Sequence, residues 1–132
     1  MGMYFAMTRE DDMANEKNGA ISPIVGYTDV EKALAWLERA FGFEVQAVHR
    51  DDDGTIVHTE MRHDNGVLML SGGNPGKAAN YVVVADPDAH HDRAKAAGAE
   101  IFRELADKDY GSRDYAARDL DGNEWYFGTY RP

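Results

Sequence analysis

His58 and Glu60 lie two residues apart in an alternating run of polar and apolar residues. Residues at this spacing on a β-strand project to the same side, so the imidazole can act as a general base that the carboxylate orients. The pair can also supply two ligands of a metal ion. The alternative is an ordinary, half-solvated strand face, because His-x-Glu alone is a weak signal. We therefore take His58 and Glu60 as candidate catalytic residues.

Tyr110 and Arg113 flank a Gly-Ser pair that predicts a loop. A phenol and a guanidinium at the mouth of a cleft can hold an anionic or planar ligand, which makes both residues candidates for ligand binding. The alternative is a turn in which Arg113 pairs with one of the many carboxylates of the chain. His90 and His91 are adjacent in a predicted helix and point about 100° apart, so we predict a solvated helix face rather than a chelating pair.

The composition limits the classes of partner. The 132 residues include 24 acidic and 14 basic side chains, for a net charge of -10, which disfavours nucleic acid and anionic membrane surfaces. The absence of cysteine excludes disulfides and thiolate metal sites and is compatible with the cytoplasm, where we expect the protein. Residues 1–19 have no signal-peptide or membrane-span pattern, and their charged, aperiodic sequence predicts a mobile arm.

The elements that must position these residues form a repeated unit. Residues 21–27 predict a strand, and Thr28 with Glu31 has the capping-box spacing for a helix that ends at Gly42. Asp-Gly and Asn-Gly turn signals then separate three strands, which we predict at residues 43–49, 56–63 and 67–71.

The second unit repeats this order. A strand at residues 81–85 precedes an Asp86-Pro87 helix start, the helix ends at Gly98, and strands follow at 100–105, 113–118 and 124–130. Asp29 and Asp86 are 57 residues apart, and Gly66 and Gly122 are 56 apart. The sequence thus predicts one α+β domain at residues 20–132. It consists of two βαβββ repeats, at about 20–73 and 80–132, whose antiparallel or mixed sheets curve around a cleft.

The hairpin register decides which side chains face that cleft. A three-residue turn with Gly66 in the left-handed conformation sets residue 60 opposite residue 70, and the same register in the second repeat sets residue 116 opposite residue 126. A two-residue turn would reverse the assignment. The predicted cleft residues are His58, Glu60, Leu70, Asp114 and Tyr126.

The segment YGSRDYAARDLDGNEWYFGTY, at residues 110–130, resembles the closing hairpin of vicinal oxygen chelate proteins. Residues 27–43 and the VHTEM segment at 57–61 resemble the first repeat of that superfamily, so the resemblance covers about residues 21–132. The superfamily includes glyoxalases, bleomycin-resistance proteins and ring-cleaving dioxygenases. The resemblance implies a small-molecule ligand and a homodimer, with the two modules joined within one chain or by exchange between chains.

In the metal-dependent members that the chain resembles, His or Glu residues of the first and last strand of each repeat hold a divalent ion. The corresponding positions here are Ser22 or Pro23, Ala79 or Asn80, Leu70, and Tyr126. Since these side chains are poor ligands or none, we predict no metal and no other cofactor. A divalent metal is expected only in a rearranged site, for example one formed by His58, Glu60 and Asp114.

The favoured function is a small-molecule-binding protein of the glyoxalase and bleomycin-resistance type, with a hydrophobic or aromatic ligand. The first alternative is a lyase, isomerase or dioxygenase-like enzyme that acts in the same cleft with His58 or Glu60 as the base. The second alternative is a regulatory domain whose main activity is dimerisation.

Overall fold

The computed structural model describes residues 19–132, and the predicted βαβββ order occurs twice. The predicted arm lies outside the described residues, apart from Gly19. The elements of the first repeat are β1 (Ile24–Gly26), α1 (Val30–Phe41), β2 (Glu44–Arg50), β3 (Ile56–His63) and β4 (Gly66–Ser71). Those of the second are β5 (Ala79–Val83), α2 (Pro87–Ala96), β6 (Glu100–Asp107), β7 (Arg113–Arg118) and β8 (Glu124–Gly128). Neither helix of the described chain is long and apolar enough to cross a membrane.

Each repeat forms one mixed sheet of four strands. The strand order is β1-β4-β3-β2 in the first sheet and β5-β8-β7-β6 in the second. The first strand of each repeat is parallel to its last strand, and the other neighbours are antiparallel. Within residues 19–132 no strand pairing joins the two sheets. The predicted α+β class and the duplication are confirmed.

The two repeats share one hydrophobic core. Phe41, at the end of α1, lies with its ring centroid 5.7 Å from that of Trp125 and 4.8 Å from that of Phe127, both of β8. Met61, on the covered face of the first sheet, belongs to the same cluster. Because the helix-covered faces of both sheets contribute to this core, the opposite faces of the sheets point away from it. We call these the open faces.

The ends of α1 are capped by specific side chains. Its N-cap is Asp29, whose carboxylate accepts from the Lys32 amide at 3.1 Å, so the prediction of Thr28 as the cap is wrong. Gly42 ends the helix as predicted, with a φ of 74° that favours glycine. Arg93 of α2 donates to the backbone oxygens of Glu38 and Arg39 at 2.9 and 2.8 Å. This cap fixes the two helices against each other.

The Asp119 carboxylate, 7% exposed, is the centre of a buried hydrogen-bond network between the repeats. One oxygen accepts from the Tyr27 hydroxyl at 2.7 Å and from the Trp125 indole at 2.9 Å. The other oxygen accepts from the backbone amides of Asp121 and Asn123, both at 3.0 Å. Burial, together with the adjacent Asp119, raises the pKa of Tyr27 far above its usual value, so Tyr27 stays a neutral donor.

Asn123 extends this network to the end of β1. Its side-chain nitrogen donates to the Gly26 oxygen at 3.0 Å, and its side-chain oxygen accepts from the Ala78 amide at 3.0 Å. A Cβ on Gly26 would lie 2.0 Å from the Gly73 oxygen, so only glycine allows the linker between the repeats to pass this point.

The predicted register is wrong in the first hairpin and confirmed in the second. Glu60 pairs with Met69 rather than with residue 70, because Asp64 and Asn65 form a two-residue turn in which Asp64 has a φ of 53°. Leu70 consequently lies in the core, 7% exposed, and not in a cleft. The observed register buries both leucines of β4 and leaves its methionine on the other face, whereas the predicted register would bury the methionine. The burial of two leucines therefore favours the observed register.

The predicted register of the second hairpin sets Ala116 opposite Tyr126 and Tyr115 opposite Phe127, and both pairs are observed.

The prediction that the two histidines of α2 face solvent is wrong. His91 is 7% exposed. The His90 ring is tilted against that of Phe127, with centroids 4.3 Å apart, and its ring nitrogens lie 2.5 Å from the Tyr115 hydroxyl and 2.8 Å from the Phe41 oxygen. Since the Phe41 oxygen can only accept, His90 donates to it through Nε2 and accepts from Tyr115 through Nδ1. Burial lowers the pKa of His90 to about 4.

We expect Asp119→Ala to lower the free energy of unfolding by at least about 3 kcal/mol, because it leaves several buried donors without an acceptor. Urea denaturation followed by circular dichroism measures the change. Asp53→Ala, which removes an exposed turn carboxylate, is the control and should change stability by less than about 0.5 kcal/mol. Similar losses in both variants would contradict a special role for Asp119.

His90 should make the protein less stable as the pH falls from about 6.5 to about 4. In this window the unfolded state takes up a proton that the folded state excludes, which removes up to about 3 kcal/mol of stability. We expect the stability of His90→Gln to fall less steeply over this pH range in urea titrations, whereas Val57→Ala, which removes no titratable group from a half-exposed position, should keep the wild-type slope. Equal slopes in the wild type and His90→Gln would refute this assignment.

Candidate functional site

The open face of the first sheet contains a connected polar network. His58 Nε2 lies 2.7 Å from one oxygen of Glu60, and the other oxygen accepts from Gln46 Nε2 at 2.6 Å. Arg62 in turn donates to the Gln46 side-chain oxygen. His49 lies opposite His58 on β2, with ring centroids 5.6 Å apart. The structure therefore brings together the two candidate catalytic residues and adds three partners.

Glu60 is held as a carboxylate. Burial raises its pKa, but the hydrogen bonds from His58 and Gln46 and the charges of nearby imidazoles outweigh burial, so the pKa lies below the usual 4.5. A carboxylate fixed on both oxygens can orient His58 and stabilise its protonated form. The geometry fits a base and its orienting group.

An apolar strip borders this network. Ile24 pairs with Met69, and Met69 pairs with Glu60, so the three side chains form a row across the open face. Ile24 is 64% exposed. A face with exposed apolar groups beside a fixed carboxylate can contact both parts of an amphipathic molecule.

The open face of the second sheet is aromatic and carries two arginines, of which Arg118 forms an ion pair with Glu100 at 2.8 Å. The Tyr126 hydroxyl donates to Glu124 at 3.0 Å, and its ring lies 5.7 Å from both the Phe102 ring and the Arg103 guanidinium carbon. The Arg118 guanidinium carbon lies 4.2 Å from the centre of the Phe102 ring. Such stacked guanidinium and aromatic planes can extend onto a planar ligand.

Asp114 and Tyr110 lie near one end of this second face. Asp114 is opposite Gly128 on the open side, and one of its oxygens lies 3.7 Å from Lys108 Nζ. Tyr110 is 64% exposed in the loop before β7 and packs edge-on to Tyr130, with centroids 5.5 Å apart. Both predicted residues are thus accessible from the rim of the face.

Arg113 points to the covered side instead. Its guanidinium donates to Asp88, at the start of α2, at 2.7 Å and to Asp107 at 3.3 Å. This is the ion-pairing alternative weighed for Arg113, and the predicted ligand-binding role has no geometric support.

The sequence model of the Glyoxalase/Bleomycin resistance protein/Dioxygenase superfamily matches residues 21–127, which include both repeats. The chain belongs to this superfamily. The resemblance to vicinal oxygen chelate proteins is thereby confirmed.

Similar proteins include solved structures and sequence relatives. TioX from Micromonospora sp. ML1 is 35% identical, has a TM-score of 0.72, and is matched over 83% of this chain and 98% of that chain. A glyoxalase-related enzyme from Clostridium phytofermentans, 22% identical with a TM-score of 0.68, is matched over 82% of this chain and 92% of that one, which shows the fold alone. The uncharacterized protein Rv0887c of Mycobacterium tuberculosis is 27% identical in an alignment 133 positions long, which covers 89% of this chain and 78% of that protein.

The metal site of the superfamily does not fit the residues at its expected positions. With the observed register, the first-repeat position that corresponds to Tyr126 is Met69 and not Leu70. Met69 and Tyr126 lie on the open faces, and each pairs with a residue of the first strand of its own repeat. Ile24 and Tyr81 are their partners. These four side chains offer two phenols and one thioether, a poor donor set for a divalent ion. Among residues 19–132, no three His, Asp or Glu side chains form a group that could hold a metal.

The hypothetical cluster of His58, Glu60 and Asp114 is not formed. The first two residues lie on the open face of the first sheet and Asp114 on that of the second, and both faces point away from the shared core. Within one chain, these side chains therefore belong to separate surfaces.

Sequence reasoning missed Gln46 and His49 in the first sheet and Phe102 and Arg118 in the second. Irregular pairing between Val45 and Ala47, and between Ile101 and Arg103, interrupts simple alternation in both outer strands. The bulges were not visible in the sequence. The available signal in β2 was the polar character of Gln46 and His49 in a predicted strand.

We expect Gln46→Leu to raise the pKa of Glu60, because the substitution removes one of the hydrogen bonds that stabilise its charged form. A carbon-detected NMR titration of the glutamate carboxyl groups measures the shift. Val45→Leu changes the neighbouring side chain without removing a hydrogen-bond donor and should leave the titration unchanged. A wild-type Glu60 that titrates above 4.5 would contradict the observed network.

Proposed function

We propose that the protein binds a small hydrophobic or aromatic molecule between open faces of its sheets and does so without the divalent metal of its superfamily. The observation that carries this proposal is the set of open-face side chains on the first and last strands of the two repeats, Ile24, Met69, Tyr81 and Tyr126. Exposed apolar and aromatic side chains on an uncovered sheet face favour contact with an organic molecule.

A two-sided cleft requires a second copy of the chain. The open faces point away from the shared core, so they do not face each other within one chain. A homodimer in which the first sheet of one chain faces the second sheet of its partner would combine the two surfaces. The His58–Glu60 network would then lie across from Tyr126 and the arginines beside it.

The two surfaces offer different groups to a ligand. The first offers the Glu60 carboxylate, and the second offers Arg103 and Arg118 stacked on aromatic rings. A planar ligand could stack on the aromatic side while its hydrogen-bonding groups contact His58 or Glu60. Because the chain carries a net charge of -10 and has no cysteine, we place this function in the cytoplasm and away from nucleic acids and membranes.

A second candidate function is proton transfer in the same cleft. The 2.7 Å contact between His58 and Glu60 favours it, because the fixed carboxylate would stabilise the imidazolium that forms when His58 removes a proton from a substrate. This chemistry corresponds to a lyase or an isomerase. It needs no metal on the first and last strands of the repeats.

Tyr126→Ala should weaken the binding of a planar aromatic probe about tenfold, as expected for the loss of one aromatic contact. We would titrate the neutral fluorophore 1-aminoanthracene into the wild type and the variant and follow its emission. Val57→Ala truncates a half-exposed residue that does not share the open face and should leave binding unchanged. Unchanged binding by Tyr126→Ala, or no binding by the wild type, would contradict the proposal.

Native mass spectrometry with elemental analysis, on protein purified without chelator, tests the dimer and the metal in one experiment. We expect a homodimer with substoichiometric metal. One tightly bound divalent ion per chain would refute the metal-free site, and a monomer at micromolar concentration would refute the two-sided cleft.

A further inference from the structure

A cavity of about 210 Å³ lies at the seam between the two repeats and is partly open to solvent. Its lining includes the end of the first hairpin and strand β5, but none of His58, Glu60, Asp114 or Tyr126. Tyr81 lines this cavity and also lies on the open face of the second sheet, so the two sites adjoin at this residue. Ile24, Met69 and Tyr126, which carry the rest of the proposed ligand site, do not line the cavity. The lining residues that matter here are Phe43, His63, Leu68, Asn80, Val82 and Trp125.

The inner part of the cavity is apolar and aromatic. Phe43 and Trp125 are each 1% exposed, and their ring centroids are 5.3 Å apart. Val82 and Leu68 add aliphatic surface. Apolar cavities of about 150 Å³ can hold a benzene molecule, so a cavity of this size leaves room for one ring and a small substituent.

One lining residue has a side-chain polar atom without a hydrogen-bond partner. The Asn80 side-chain nitrogen is buried and has no hydrogen-bond partner among residues 19–132. His63, the other polar group nearby, already donates through Nε2 to the Val83 oxygen at 2.7 Å. A buried amide donor without an acceptor is destabilising, and a ligand that supplies an acceptor relieves this cost.

The charges near the cavity favour a neutral ligand. Asp64 and Arg131 line it and form an ion pair at 3.2 Å, so they neutralise each other. The net charge of -10 disfavours the approach of an anion. The lining thus combines aromatic surface, one free donor and no uncompensated charge.

We propose that this seam cavity is a second binding site, for a neutral single-ring molecule that carries a carbonyl group. The ring packs on Phe43, Val82 and Trp125, and the carbonyl oxygen accepts from the Asn80 side-chain nitrogen. Because Phe43 belongs to the first repeat and the other three residues to the second, the ligand bridges the seam. The site does not depend on the proposed function of the open faces.

Acetophenone and ethylbenzene are the probes, because they have similar shapes and only acetophenone has an acceptor. We expect acetophenone to shift the NMR signals of the Asn80 amide group and the Trp125 indole in the full chain. It should bind about tenfold more tightly than ethylbenzene, as expected for one hydrogen bond to a buried donor. Absence of shifts at both residues would overturn the proposal.

Two variants separate the contributions. Asn80→Leu should remove the preference for acetophenone while the melting temperature stays equal or rises, since an unsatisfied donor is lost. Val82→Phe should fill the cavity and abolish binding of both probes, with the fold checked by circular dichroism. A preference for acetophenone that persists in Asn80→Leu would refute the assigned hydrogen bond.

Tyr126→Ala is the control for the open faces and should bind acetophenone as the wild type does. Loss of acetophenone binding in this variant would place the probe on the open face and refute a seam site. Failure of the seam site with normal binding of 1-aminoanthracene would leave the proposed function intact, so the two failures are distinguishable.

Discussion

The arrangement of the two repeats depends on the buried carboxylate of Asp119. A carboxylate that loses water must recover its hydrogen bonds within the protein, and here the donors come from Tyr27 in the first repeat and from Trp125 and backbone amides in the second. The network thus fixes the end of β1 against the last hairpin. An apolar contact alone would define the relative position of these two segments less specifically.

This constraint has a consequence for function. With the helix-covered faces joined in one core, each open face remains a surface instead of the wall of an internal pocket. A surface of this kind contacts solvent on one side and buries little of a ligand. The proposed dimer follows from this geometry, because a second copy supplies the opposite wall that the chain lacks.

The sequence predicted those parts of the fold that local patterns determine. The helix end at Gly42, the bounds of β3 and the pairing of Ala116 with Tyr126 depend on turn chemistry or strand alternation, and all three are as predicted. The predicted position of Leu70 was wrong because the turn has two residues instead of three. A change of one residue in turn length exchanges the two faces of the strand that follows.

Side-chain partners were harder to predict than elements. The burial of His91 and the pairing of Arg113 with Asp88 depend on the packing of α2 against its sheet, which no local pattern encodes. Gln46 reaches Glu60 because pairing in β2 is irregular beside it. The candidate pair His58 and Glu60 could be read from spacing alone, whereas its environment could not.

The open faces also show how this chain differs chemically from the metal-dependent pattern of its superfamily. That pattern sets donors on the first and last strands of each repeat, which are neighbours at one edge of each sheet. Here those positions carry Ile24, Met69, Tyr81 and Tyr126, while the fixed carboxylate and the imidazoles lie on β2 and β3. In the first sheet, the hydrogen-bonding groups thus lie on strands beside this apolar pair. A ligand on the open faces would meet apolar and aromatic surface along one edge of the sheets and hydrogen-bonding groups next to it, an arrangement suited to holding an organic molecule more than to polarising one through a metal.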